Sequence, residues 1–132
     1  MMVVDASVAI KWFVKEEGRI PAQRILTEIK NRPAEFAVPD LFYIEMTSVL
    51  LRLIKDKKTL QQIIEDLFNL GMVQMRVGTK LLKTASDIAI EYNLSGYDGL
   101  YAACAKSLGG IWITADRKAH NRISALKISE TL

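Results

Sequence analysis

Cysteine, histidine and proline are scarce in this 132-residue chain, with one, one and three copies, and each shortage removes a class of protein. A single Cys104 excludes an internal disulfide and any multi-cysteine zinc site, and fits a reducing compartment. The lone His120 leaves no plausible Cys–His or Ser–His pair for nucleophilic catalysis. No apolar run approaches the roughly 20 residues needed to span a bilayer, and no basic region followed by a long apolar stretch opens the chain. The expectation is therefore a cytoplasmic protein with neither anchor nor signal peptide, and no membrane partner. Low-complexity tracts and linkers are also missing.

What remains is an ordinary globular composition, 50% hydrophobic and 25% charged, sized for a single domain over residues 1–132. A chain of this length buries roughly two thirds of its unfolded surface without cross-links. The net charge of +3 is compatible with a polyanionic partner but common among proteins without one.

Apolar periodicity places strands at Met2–Val4, Glu35–Val38, Met72–Arg76 and Ile111–Thr114, with a last short one at Leu126–Ile128. Helices are predicted over Ser7–Val14, Ile20–Arg32, a long stretch capped by Asp40, Thr59–Leu70, Thr79–Tyr92 and Tyr97–Ser107. Strands alternating with helices imply an α/β fold with a parallel sheet covered on both faces.

Two of these strands end in a carboxylate: "MMVVD" in Asp5 and "IWITAD" in Asp116. Ligands of open parallel sheets bind outside the carboxyl ends of the strands, where the winding reverses. Asp5 and Asp116 are either two caps of the helices that follow or two halves of one site. Glu45 lies on a mainly apolar helix stripe with Leu41, Phe42, Ser48 and Val49, a costly place for a charge unless it is paired, with Arg52 as a nearby partner, or binds a cation. Asp98 opens "YDGLYAACAKSLGG", where a negative charge suits the helix dipole and where Ala102, Ala103 and Ala105 let the helix press on the sheet. Four carboxylates brought together repel, and hard divalent cations bound through oxygen are the usual remedy. Mg2+ or Mn2+ fits such a set, and it supports phosphodiester hydrolysis with no covalent intermediate.

With Asp5, Glu45, Asp98 and Asp116 in that order, the chain resembles the PIN domain family, and most closely its VapC-type toxins of toxin–antitoxin pairs. The resemblance rests on "VVDASVAIKW", "PDLFYIEMTSVL" and "YDGLYAACAKSLGGIWITADRK" and spans nearly the whole chain. It implies a three-layer α/β/α fold with a five-stranded parallel sheet in order 3-2-1-4-5. It implies a four-acid pocket for Mg2+ or Mn2+, with Ser7 and Thr114 lining it, and endonucleolytic cleavage of RNA. A homodimer and a cognate antitoxin protein are the implied partners. Ser48 stands where many relatives place Asn, and Gly99 where Ala is common; Ser48 retains hydrogen-bonding capacity and is expected to support the pocket.

Removing the four pocket acids from the 15 acidic residues leaves 11 against 18 basic ones, a charge of +7. Lys11, Arg117, Lys118 and Arg122 then form a cationic rim for RNA phosphates, or else a solvated basic face. Trp12, Tyr97 and Tyr101 suit base stacking or, more simply, the core or an interface. Asp87 and Glu91 read as an exposed face with Lys83 as surface partner. Met46, Leu50, Leu51, Leu53 and Ile54 exceed what one core face needs, which points to an oligomer contact. Two other functions are weighed. A receiver-like phosphoacceptor domain lacks its paired acids after the first strand, and Arg76-Val77-Gly78 replaces the acceptor. A noncatalytic metal- or RNA-binding module is disfavoured by retention of all four acids.

Overall fold

Val3 and Val4 are fully buried, so the strand β1 (Met2–Val4) is covered on both faces, as a central parallel strand must be. In the computed structural model, which describes residues 1–132, it pairs with β2 (Phe36–Pro39) on one side and β4 (Ile111–Thr114) on the other. Outside these lie β3 (Val73–Met75) and β5 (Ser129–Thr131), giving an all-parallel sheet in order 3-2-1-4-5. Val3 registers with both Ala37 and Trp112. The sheet is the middle layer of an α/β/α sandwich, as the sequence predicts.

Seven helices connect the strands. The first, α1 (Ala6–Ala9), passes into a 3-10 turn at Ile10–Trp12, and α2 (Arg19–Asn31) follows. Next come the hairpin α3 (Asp40–Leu53) and α4 (Lys57–Asn69), then α5 (Thr79–Tyr92), α6 (Gly96–Leu108) and α7 (Arg117–Ile123). The core runs through Phe36, Val38, Phe42, Met46, Ile29, Trp112 and Ile123.

Sequence and structure part company at several boundaries. The last strand is not Leu126–Ile128: Ser124–Leu126 forms a 3-10 turn, Lys127 takes a left-handed conformation (φ 55°), and pairing with β4 begins only at Ser129. Asp40 is not the cap of α3. Pro39 holds that position, while the Asp40 carboxylate accepts hydrogen bonds from Gln74 Nε2 (2.9 Å) and Val77 N (3.3 Å), tying α3 to β3 and to the chain just after it. The true cap of α4 is Asp56, which accepts from Thr59 N at 2.9 Å. Met46 and Leu50, assigned above to an apolar surplus, are core residues; Leu51 and Leu53 are the exposed ones.

Helix α6 lies against β1, β2 and β4, and α5 lies across α6. The small residues Ala102, Ala103 and Ala105 are fully buried beneath it, so little more than backbone separates the helix from its neighbours. The crossing centres on Gly99, where an added Cβ would stand 2.7 Å from the Ala85 carbonyl oxygen and 3.1 Å from Ala89 Cβ. A backbone oxygen cannot yield as a flexible side chain can. Gly99→Ala is therefore expected to lower stability by about 1–3 kcal/mol through overpacking. Gly96→Ala, whose Cβ meets nothing within 4 Å, serves as the control and should leave the thermal midpoint unchanged or slightly raised. Equal midpoints for Gly99→Ala and the wild type would show that the helices part without penalty.

Candidate active site

Asp5 leaves β1 directly into α1 and caps that helix with one carboxylate oxygen while the other turns toward β4, so the cap leaves the second oxygen free for other partners. Its Oδ1 accepts a hydrogen bond from Ser7 N at 3.1 Å, the capping contact. Its Oδ2 turns toward β4 and accepts from Thr114 Oγ1 (2.8 Å) and Trp112 Nε1 (3.1 Å). Trp112 and Thr114 are two residues apart on a strand and project from the same face, which is why both reach one oxygen. The Thr114 hydroxyl gives its only proton to Asp5, so its contact with Ser7 Oγ at 3.3 Å has Ser7 as donor. Asp116 N also donates to Thr114 Oγ1 at 3.0 Å, and Ala115 N to Ser7 Oγ at 3.0 Å. Ser7 and Thr114 thus stitch the ends of β1 and β4 together.

The other three acids arrive from separate elements. Glu45 projects from α3, half-buried, and accepts a hydrogen bond from Tyr101 OH at 2.8 Å; no ion pair joins it to Arg52. Asp98 sits in the first turn of α6, whose cap Ser95 accepts from the Asp98 backbone N–H at 3.0 Å. Asp116 caps α7, accepting from Ala119 N at 3.0 Å, and is exposed.

The electrostatics show that these groups share a neighbourhood. Burial raises the Asp5 carboxyl above its ordinary range, with hydrogen bonds from Ser7, Thr114 and Trp112 pulling it partly back. Burial also raises Glu45; the Tyr101 hydroxyl opposes this, and the charges of Asp5 and Asp98 reinforce it. Asp98 is pushed up to about 6, first by burial and then by Asp5 and Asp116, against smaller opposing effects of Ser95 and Arg122. None of the four forms an ion pair: the protein's three lie at Lys11–Glu16, Arg32–Glu35 and Arg117–Glu17. As the side chains stand, however, no three acids have the spacing to grip one ion together. Charge is felt well beyond the roughly 2 Å of a coordination bond, so the two observations describe acids near enough to repel but not drawn together on one ion. The donor set, all oxygen and without a cationic partner, fits a hard divalent ion.

Of the remaining predicted site residues, Lys11 and Arg117 line one groove with Asp116. Lys11 Nζ is held by Glu16 Oε1 (3.1 Å) and the Glu17 carbonyl (2.6 Å). Arg122 donates to the Asn93 carbonyl at 2.7 Å, and Lys118 is exposed. Ser48 is exposed on α3 and holds none of the four acids. Asp87 and Glu91 are exposed on α5, and Lys83 forms no ion pair with Asp87. Sequence reasoning missed Trp112 altogether and left Tyr101 to the core or to stacking. The available signal was that a buried indole or phenol must find an acceptor.

The raised Asp98 carboxyl has a consequence for stability. Below about pH 4 both folded and unfolded chains are protonated there and nothing is lost. As pH rises from about 4 through about 6, the unfolded chain releases its proton first, so folding loses stability. In chelator, the thermal midpoint of the wild type should fall across this window more steeply than that of Asp98→Asn. Parallel curves for the two proteins, followed by circular dichroism from pH 4 to 7.5, would contradict the assignment.

Comparison with known proteins accords with this geometry. The family model of the PIN domain matches residues 2–126. Ribonuclease VapC3 of Pyrobaculum aerophilum is 26% identical over 131 residues, which cover 95% of this chain and 96% of that protein. Among solved structures, Mycobacterium tuberculosis VapC20, a sarcin-ricin loop cleaving toxin, is similar with a TM-score of 0.73 at 15% identity, over 97% of this chain and 96% of that one. A toxin–antitoxin complex from Klebsiella pneumoniae gives 0.72 at 15% identity, over 99% and 97%. With its 3-2-1-4-5 sheet and a family match from β1 to the turn before β5, this chain belongs to the PIN domain family.

Proposed function

We propose that the protein is a divalent-metal-dependent endoribonuclease of the VapC type, the toxin of a toxin–antitoxin pair, with Asp5, Glu45, Asp98 and Asp116 holding Mg2+ or Mn2+. The observation that carries this reading is that Asp5, buried, Glu45 and Asp98, half-buried, and Asp116, exposed, lie near enough to raise one another's charge cost with no lysine or arginine ion-paired to any of them. The relatives support it: one is named a ribonuclease, another a sarcin-ricin loop cleaving toxin, and a third is a toxin–antitoxin complex. A divalent cation in such a site supplies charge stabilisation at a phosphodiester and acidifies water.

The chain's own residues do the rest. Ser7 N, Thr114 and Trp112 fix Asp5, and Tyr101 orients Glu45. Glu45 and Asp98, half-buried beside Asp5, would complete the set of carboxylates that holds the ion. Lys11, Arg117, Lys118 and Arg122 receive the RNA backbone, with the groove between Lys11, Asp116 and Arg117 as its path. A cognate antitoxin keeps the enzyme in check. A cytoplasmic setting agrees with the buried free thiol of Cys104, which burial pushes up to about 12, and no helix is long and apolar enough to cross a membrane.

The open spacing of the acids is what favours the second reading, a noncatalytic RNA-binding module. Incubation with structured RNAs separates the two. The wild type should cleave only when Mn2+ or Mg2+ is present, and Asp5→Asn and Asp98→Asn should each lose roughly 10²-fold or more while remaining folded. Binding without cleavage by the wild type in Mn2+ would leave the noncatalytic module, and full activity in either variant would remove the acids from the chemistry.

The same reading includes a homodimer. A groove of about 520 Å³ between α3, α5 and the start of α6 is lined by Leu41, Ile44, Val77, Leu82, Tyr97 and Leu100. Ile44, Tyr97 and Leu82 are 66%, 64% and 50% exposed within this one groove, and a contiguous apolar patch of this kind marks an interaction surface. Sedimentation at micromolar concentration should find a dimer for the wild type and a monomer for Ile44→Asp. A monomeric wild type would end this part of the proposal.

A further inference from the structure

Trp112 is a fully buried aromatic residue whose ring places a hydrogen-bond donor on Asp5, as the buried Tyr101 does on Glu45. Its Nε1–H and the Thr114 hydroxyl together occupy both lone pairs of Asp5 Oδ2. Oδ1 has only Ser7 N, so one lone pair of the carboxylate remains to face a ligand. A carboxylate held by two donors on one oxygen and one on the other cannot turn about its terminal bond without breaking at least one contact. The indole is itself held in place. Its ring lies nearly parallel to that of Tyr101, at 10° and with centroids 6.4 Å apart, within the range of an offset stack. The Tyr101 hydroxyl ends on Glu45 Oε1 at 2.8 Å. Two stacked rings, one from α6 and one from β4, therefore carry polar tips that terminate on two different acids of the pocket.

We infer that Trp112 is a positioning residue for Asp5: resting on the Tyr101 ring, it commits Oδ2 to the protein and turns the free lone pair of Oδ1 toward the cation. The inference rests on the metal-binding reading of the site. The competing account is that Trp112 only fills the core and bonds the nearest acceptor. In that case Trp112→Phe, which keeps a ring for the stack but removes the donor, changes thermal stability alone.

Two measurements decide between them. Calorimetric titration with Mn2+ should give a Kd weaker by about 10-fold or more in Trp112→Phe, the effect expected of a lost contact to a ligand. On the wild type, the two tryptophans provide a signal and its internal control in the indole N–H region of a ¹⁵N–¹H spectrum. The Trp112 resonance should shift as Mg2+ is added, whereas that of Trp12, whose Nε1 donates to the Ala22 carbonyl at 2.9 Å, should stay in place. This second measurement does not depend on any variant folding. If the wild type binds Mg2+ while the Trp112 signal stays fixed, or if Trp112→Phe binds Mn2+ as tightly as the wild type, the positioning role is overturned and the metal site stands. If the wild type binds neither ion, the metal reading itself fails and takes this inference with it.

Discussion

A carboxylate buried at the seam of two parallel strands is the constraint around which this molecule is arranged. Asp5 is 6% exposed, and burial of an acid is tolerable only with hydrogen bonds on its oxygens. Its three donors come from the first turn of α1 and from two positions of β4, more than a hundred residues away in sequence. Those donors meet Asp5 only in the observed register, with Val3 beside Trp112 and Val4 beside Ile113. A slip of β4 by one residue would turn Trp112 and Thr114 to the opposite face and leave Asp5 without them. The site and the strand pairing are in this sense one structure.

The central strands were legible because they are short apolar runs bounded by polar or breaking residues, and the helices because their apolar stripes repeat at helical spacing. The fifth strand was not. Ser129–Thr131 is polar, and its place is set by pairing with β4 rather than by any pattern of its own, so the apolar Leu126–Ile128 drew the assignment instead. Asp40 differs for a related reason: an aspartate before a helical stripe looks like a cap, but its partners Gln74 and Val77 lie on β3 and in the segment after it.

The four acids stood out because a charge at the end of a buried strand or on an apolar stripe is energetically conspicuous from sequence alone. Of their supporting groups, Ser7 and Thr114 came with the family resemblance, whereas Trp112 and Tyr101 were hidden. For Glu45 the sequence offers only neighbours on its own helix, and Arg52, seven residues on, lies about 10 Å along the axis. The actual partner, Tyr101, is 56 positions away. Periodicity reports which face a residue occupies but not which element will cover that face. The partners Tyr101 and Trp112 therefore became visible only where the fold brings α3, α6 and β4 together.

Close packing and pocket chemistry are joined through α6. Its small residues carry the helix tight against the sheet and α5, and that approach half-buries Asp98 within reach of the charges of Asp5 and Asp116. A bulkier residue at Gly99 would ease α6 away from α5, and with it the turn that carries Asp98. The same contacts that stabilise the core thus hold Asp98 in an unfavourable electrostatic environment. The opposition is sustainable because the apolar burial is spread over many residues whereas the repulsion is confined to a few. A fold relieved of that repulsion by spreading α6 would give up packing along the whole helix, so the acids stay crowded because the helix stays packed.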